Sequence, residues 1–265
     1  MAFIEVRDLA KSFPAAKGTR HVLKGVSLDV EHGEFVSIVG AMGSGKSTLL
    51  SLIAGLTTAD SGSVSIGGET TRGVRRDAAF VFQNYSLLPW FTALENVRLA
   101  VDATFPEMTR DEQRRHATRA LEQVGLGNAI DRRPRQLSGG MRQRVALARL
   151  MANEPEVLLM DEPLAALDAQ TRLILQDELL RIWGQDRPAT ERRTVVFITH
   201  AIDEAVFLAD RVAVMTTHPG RLKAVIDVDL ARPRGDATRA LPQFQSLCQH
   251  IWSLIRDEAY RATVT

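Results

Sequence analysis

The chain has 265 residues, 45% of them hydrophobic and 25% charged, with a formal net charge of +1. That is ordinary for a soluble globular protein, and the length suits one α/β domain with a subordinate lobe. The arginines are dispersed, without a long basic run, and the charge argues neither for nor against nucleic acid. One cysteine, Cys248, excludes an internal disulfide, fits a reducing cytosol and reads as a small apolar helix residue. No apolar stretch approaches the roughly 18–20 residues that span a bilayer. The N-terminus lacks the basic and long apolar regions of a signal peptide. Any membrane role is therefore expected to run through a partner.

Residues 1–33 alternate strand-like runs with turns. Phe3-Ile4-Glu5-Val6 and the stretch from Val22 to Val30 show period-two apolarity, with a loop expected from Pro14 to Gly18. Phe13, just before that loop, is either a core-edge aromatic or a platform for a purine base. The apolar run Phe35 to Val39 predicts a buried strand, and Thr48 to Ala54 predicts a helix ending near Gly55. Between them stands Gly40-Ala41-Met42-Gly43-Ser44-Gly45-Lys46-Ser47. Strand, glycine-rich turn and helix is the context in which this pattern cradles phosphate on backbone N–H groups. Lys46 would reach the β/γ-phosphates and the Ser47 hydroxyl would sit on Mg²⁺.

Turn signals at Ser61-Gly62 and Gly67-Gly68 frame a short antiparallel strand region. Ala78 to Phe82 predicts another buried strand, with the Gln83 amide at its carboxyl end. That is where open α/β sheets place ligand contacts, although a lone Gln also suits a solvated loop. Residues 84–150 change character and read as a helical insertion. Leu87-Leu88-Pro89-Trp90-Phe91 is an apolar cluster suited to packing or to docking a partner. Thr109-Arg110-Asp111-Glu112 is a capping box that opens a helix ending near Gly125. Ser138 is a good N-cap for the next helix, and Gly139 and Gly140 leave N–H groups open for an anion.

Val157 to Met160 predicts a central strand ending in Asp161 and Glu162. Paired carboxylates at a buried strand end are costly unless paired or employed. Asp161 suits Mg²⁺, and Glu162 suits activation of a water. Asp168 lies at a turn before a helix over 170–183, and Thr194 to Thr199 predicts a strand ending in His200. Arg211 to Met215 reads as a last core strand, and Arg232 to Ala237 reads as a linker. Phe244, Leu247, Ile251, Leu254 and Ile255 mark an amphipathic helix over 241–261.

In this order the motifs resemble those of the ATP-binding subunit of an ATP-binding cassette (ABC) transporter. Gly40–Ser47 matches the Walker A loop, Gln83 the Q-loop, Leu137-Ser138-Gly139-Gly140-Met141 the signature, and Val157–Asp161 Walker B. Glu162 matches the catalytic carboxylate, Ala166-Leu167-Asp168 the D-loop, His200 the switch histidine and Phe13 the base-stacking aromatic. Five residues at three places depart from the usual pattern: Ala41 and Met42 in Walker A, Leu164-Ala165 before the D-loop, and Ala201 after His200.

The resemblance implies an α/β P-loop NTPase core with an N-terminal antiparallel β region. It implies an ATPase domain over 1–220, a helical subdomain at about 84–150 and an extension over 221–265. ATP would be held by residues 40–48, including Thr48, and by Phe13, Asp168 and the signature residues. Mg²⁺ would be held by Ser47, Gln83 and Asp161, and catalysis would rest on Glu162, His200 and Gln83. The implied partners are a second cassette, two permease subunits and, indirectly, a periplasmic solute-binding protein, at the cytoplasmic face of the inner membrane. No nucleic acid is expected. Phe82-Gln83-Asn84-Tyr85-Ser86-Leu87-Leu88-Pro89-Trp90, the Met-ending signature and Val228–Arg234 resemble the nitrate, sulfonate and taurine importers. With Leu99-Ala100-Val101-Asp102, the likeness is to the nitrate/nitrite/cyanate branch. Sulfonate or taurine import is the alternative. A soluble ABC ATPase acting on nucleic acid or ribosomes is a distant one, and a weakly hydrolysing scaffold is disfavoured by Glu162 and His200.

Overall fold

A computed structural model describes residues 2–15, 18–83 and 85–264, with the side chains of the last helix described to residue 256. Asn84, and Ala16-Lys17 of the expected loop, lie outside the described residues. Along the chain the elements are β1 (Ile4–Ala15), β2 (Gly18–Val30), β3 (Phe35–Gly40), α1 (Lys46–Ile53), β4 (Ser61–Ile66), β5 (Glu69–Thr70) and β6 (Ala78–Val81). Next come α2 (Ala93–Thr104), α3 (Arg110–Gln123), α4 (Gly139–Met151), β7 (Val157–Asp161), α5 (Ala169–Trp183), β8 (Thr194–Ile198) and α6 (Ile202–Leu208). The chain ends with β9 (Arg211–Met215), β10 (Leu222–Asp227), α7 (Asp236–Arg239) and α8 (Pro242–Val264). They form two compact units, Met1–Arg75 with Trp183–Thr265, and Arg76–Ile182.

In the first unit, β8 and β9 flank β3 in parallel. β3 and β8 are buried at every position, as continuous apolar runs in a parallel sheet must be. β10 pairs antiparallel with β9, and its residues alternate between half-buried and exposed. A second, antiparallel sheet runs in the order β2-β1-β4-β5. β1 and β2 are longer than the sequence reading: Pro14 and Ala15 pair with Thr19 and Gly18, so these residues are strand rather than loop. The antiparallel ladder satisfies their backbone groups and overrides the turn propensity of Pro and Gly. Phe35 lies between Trp183 and Phe197, each ring centroid 5.8 Å away. Phe244, Ile251 and Ile255 form the buried stripe of α8, at the spacing read from the sequence.

The expected linker at Arg232 to Ala237 is a structural element instead. Arg234 is 4% exposed and donates to the carbonyls of Val206, Phe207, Ala209, Val228 and Leu230. Those acceptors belong to α6 and the segments around it, so the arginine ties together chain that is distant in sequence. Charge and proline content suggested solvent, but a guanidinium with many acceptors can be buried.

In the second unit, β6 and β7 are parallel, and α2, α3 and α4 pack on one another. Thr109 and Glu112 form the expected capping box of α3, and Thr92 and Glu95 form another on α2. Each Glu accepts from its Thr; the Thr92 backbone N–H chiefly holds the Glu95 carboxyl below its usual value, and the Thr109 hydroxyl, then its backbone N–H, does so for Glu112.

Candidate nucleotide site

The phosphate loop leaves the buried end of β3 and enters α1 at Lys46. Gly45 is the N-cap at φ 85°, a left-handed conformation that L side chains resist. A Cβ there would also stand 2.7 Å from the Leu23 side chain. Lys46 is buried, and its ammonium donates to the carbonyls of Gly40 at 2.9 Å and Ala41 at 3.1 Å, and to Ser44 Oγ at 3.3 Å. A cation therefore braces the loop from within while the helix N-terminus adds its positive end. Met42 and Ser47 are exposed, and Thr48 is half-buried.

Phe13 is 40% exposed on β1, with the Lys11 ammonium 5.4 Å from its ring centroid. Its antiparallel partner is Arg20, whose guanidinium lies 3.9 Å from where a Cβ on Gly43 would stand. The same hairpin thus carries an open aromatic face and borders the phosphate loop. His200 belongs to this unit too. Ile38 of β3 is opposite Ile198 of β8, so continuing both strands by two residues brings Gly40 and His200 to one level. Thr199 N–H donates to the Ile38 carbonyl, and Thr199 Oγ1 accepts from Ala201 N–H, which steers the chain out of the sheet.

In the other unit the same register logic joins Gln83 and Glu162. Val81 is opposite Met160, and two residues beyond each lie the amide and the carboxylate. Gln83 Nε2 donates to Glu162 Oε2 at 3.1 Å. Glu162 has φ 46°, unusual for a side chain without a turn glycine, so the backbone departs sharply from the strand. Asp161 is the half-buried last residue of β7.

Ser138 caps α4, its Oγ accepting from Met141 N–H at 3.2 Å. Gly140 lies against α5: a Cβ there would stand 2.6 Å from Thr171 Cγ2. Asp168 caps α5 through Thr171 N–H at 2.9 Å, and that bond lowers its carboxyl pKa. The signature residues and the turn ending in Asp168 are therefore packed neighbours.

Two residues that the sequence reading passed over hold this unit's loops. Asn96, 1% exposed on α2, accepts from Leu88 N–H and donates to the carbonyls of Leu88, Phe91 and Thr92. It shapes the Leu87 to Phe91 segment, in which Trp90 is 62% exposed. An amide set among Ala93, Leu94 and Val97, just after a capping box, was its available signal. The other residue is Arg149, on α4.

This P-loop α/β fold with its signature helix defines a class, and the comparisons agree: residues 23–165 match the ABC transporter family, and the chain belongs to it. It is an ABC-type ATPase, and its nucleotide is ATP. The bicarbonate transport ATP-binding protein CmpD of Synechocystis sp. is 47% identical over 88% of this chain and 81% of its own length. The nitrate import ATP-binding protein NrtD of Synechococcus elongatus is 47% identical over 88% of this chain and 83% of its own. Among solved structures, a dimeric, post-hydrolysis state of the cassette MJ0796 bound to ADP and Pi aligns with TM-score 0.76. It is 33% identical and covers 86% of this chain and all of that one.

Proposed function

We propose that this chain is the ATP-hydrolysing subunit of an importer that drives uptake of a small anion, with nitrate or nitrite as the first candidate. The observation carrying this reading is the joint presence of the phosphate loop, the Gln83–Glu162 pair and the signature helix in a chain so similar to NrtD and CmpD. Nitrate and bicarbonate are both small planar monoanions, so the two names point to one chemical class of cargo. The ATPase itself touches no cargo, so selection belongs to its partners. Those partners are a second cassette, two permease subunits and, through them, a periplasmic binding protein, with the ATPase at the cytoplasmic face of the membrane. Among the described residues no helix is long and apolar enough to cross a membrane.

In this reading Phe13 stacks on the adenine, and the loop from Gly40 to Thr48 wraps the phosphates with Lys46 on the β/γ pair. Ser47, Gln83 and Asp161 would hold Mg²⁺. They offer oxygen donors, the hard set this ion prefers. When bound, the ion would supply charge neutralisation for the transferring phosphoryl group. Glu162 accepts the proton of the attacking water, and His200 contacts the γ-phosphate. Ser138, Gly139 and Gly140 of a partner cassette close over that phosphate, with Asp168 at the same interface. Leu87 to Phe91, at the edge of a helical subdomain at about 84–150, receives the permease, and residues 221–265 form an extension of the 1–220 ATPase domain.

The test is uptake of labelled nitrate, nitrite and bicarbonate in a strain lacking the chain, complemented with the wild type or with Glu162→Gln. Uptake restored only by the wild type supports the reading. Loss of taurine or alkanesulfonate uptake alone would reassign the cargo. Strong, salt-dependent affinity for DNA or RNA would overturn the importer reading.

A further inference from the structure

Arg149 lies on α4, ten residues beyond Gly139 and so about 15 Å along the helix from the signature glycines. Its guanidinium donates through Nη1 to the carbonyl of Ser86 and through Nη2 to that of Tyr85, both at 2.7 Å. These are short, charge-assisted bonds in a forked geometry that only arginine offers. Both acceptor residues are held at positive φ, 57° for Tyr85 and 45° for Ser86. Such backbone persists only where its surroundings impose it. Just upstream, Tyr85 N–H donates to the Phe82 carbonyl at 3.0 Å, closing a turn that contains Gln83. Downstream, Asn96 fixes Leu88. The segment that presents Gln83 is thus tied to α4 by one side chain, and Gln83 in turn holds the Glu162 carboxylate.

We propose that Arg149 is a positioning residue that links the signature helix to the Gln83–Glu162 pair. A helix is stiff over this length, so a displacement at its Ser138 end arrives at Arg149 as a displacement of the two carbonyls. In the arrangement seen here Gln83 occupies Glu162 Oε2. A shift of α4 withdraws the Gln83 amide from that oxygen. Engagement of the signature end thereby reaches the hydrolytic carboxylate through Arg149. Burial disfavours the charged guanidinium, lowering its pKa, and the two carbonyls are what hold it. This inference rests on the roles proposed above for Gln83 and Glu162.

The experiment compares ATP hydrolysis by the full chain carrying Arg149→Lys, Arg149→Met, Gln83→Ala and each Arg149 change combined with Gln83→Ala. The thermal unfolding midpoint of each variant, followed by circular dichroism, serves as the folding control. Arg149→Lys keeps the charge and loses the fork, so kcat should fall about 10-fold, with KM for ATP within about 2-fold, as expected for misplacement of a reacting group. In the Gln83→Ala background the same change should alter kcat by less than about 2-fold, because coupled residues are not additive. Amide exchange at residues 85–88 should accelerate by about 10-fold in Arg149→Lys, a readout independent of turnover. An undiminished loss in the Gln83→Ala background, an effect on KM alone, or wild-type kcat and exchange in Arg149→Lys would each overturn the proposal. If Arg149→Met does not fold, Arg149→Lys decides. Glu162→Gln, run in parallel, tests the role of the carboxylate separately: a wild-type rate there removes that role, while the Arg149–Gln83 coupling is still measured.

Discussion

Gly220 faces the carbonyl of Ser44 so closely that a Cβ on Gly220 would stand 2.1 Å from that oxygen. The turn carrying it is fixed on both sides, Gly220 N–H donating to the Val22 carbonyl and its own carbonyl accepting from Lys24 N–H. The residue beside the phosphate loop therefore cannot retreat, and Ser44 must yield instead. Gly220→Ala should displace the loop and weaken ATP binding by about 10-fold, within the ~1–3 kcal/mol typical of overpacking. Equilibrium titration with a fluorescent ATP analogue checks this, and unchanged affinity would show that the loop accommodates the methyl group freely.

Arg234 supplies a second prediction, about stability. Burial pushes its pKa down to about 9, and its carbonyl acceptors are what make the charged form tolerable. Arg234→Met keeps much of the volume but strands acceptors around α6. The expected loss is roughly 3 kcal/mol, the order of leaving buried polar groups unpaired. Denaturant unfolding measures it. A variant with wild-type midpoint and slope would mean that water replaces the guanidinium.

Arg234 also marks the limit of what could be read without coordinates. Gly40 to Ser47, Ser138 and Asp161-Glu162 were legible because local pattern and chemistry coincide: strand, glycine turn and helix, or buried strand and carboxylates. The Thr109–Glu112 box was legible for the same reason. Arg149 and Arg234 were not, because their partners are backbone carbonyls, 63 and 64 positions away for Arg149 and 4 to 28 for Arg234, and carbonyls carry no residue signature. Pairing of β1 with β2 was underestimated because the ladder outweighs the local preferences of Pro14 and Gly18.

The helix caps imply a defined acid response. Glu95 and Glu112 are held below their ordinary value of 4.5, Glu95 chiefly by the Thr92 backbone N–H and Glu112 chiefly by the Thr109 hydroxyl, followed by its backbone N–H. The unfolded chain therefore binds protons first as pH falls. Stability from these contacts is fully present above the unfolded value and is lost as pH drops through the lower folded value. Amide exchange at the starts of α2 and α3 should accelerate across that window. Glu95→Gln and Glu112→Gln should remove the pH dependence at their own helix only. Acceleration persisting unchanged in both variants would locate the acid sensitivity elsewhere.

Glu162→Gln is the sharpest test of the hydrolytic assignment, because the geometry isolates one property. The substitution preserves size and the side-chain oxygen that accepts from Gln83 Nε2. The positive φ of residue 162 is no harder for Gln than for Glu. What disappears is the capacity to take a proton from water. Loss of a general base lowers turnover by about 10²–10⁴-fold. ATP affinity should stay near wild type, since Lys46 and the phosphate loop are untouched, and ATP should persist between paired cassettes. Analytical ultracentrifugation with ATP should then show a more stable dimer than the wild type forms. An unchanged hydrolysis rate would remove Glu162 from the chemistry and leave its strained backbone to be explained by the turn alone.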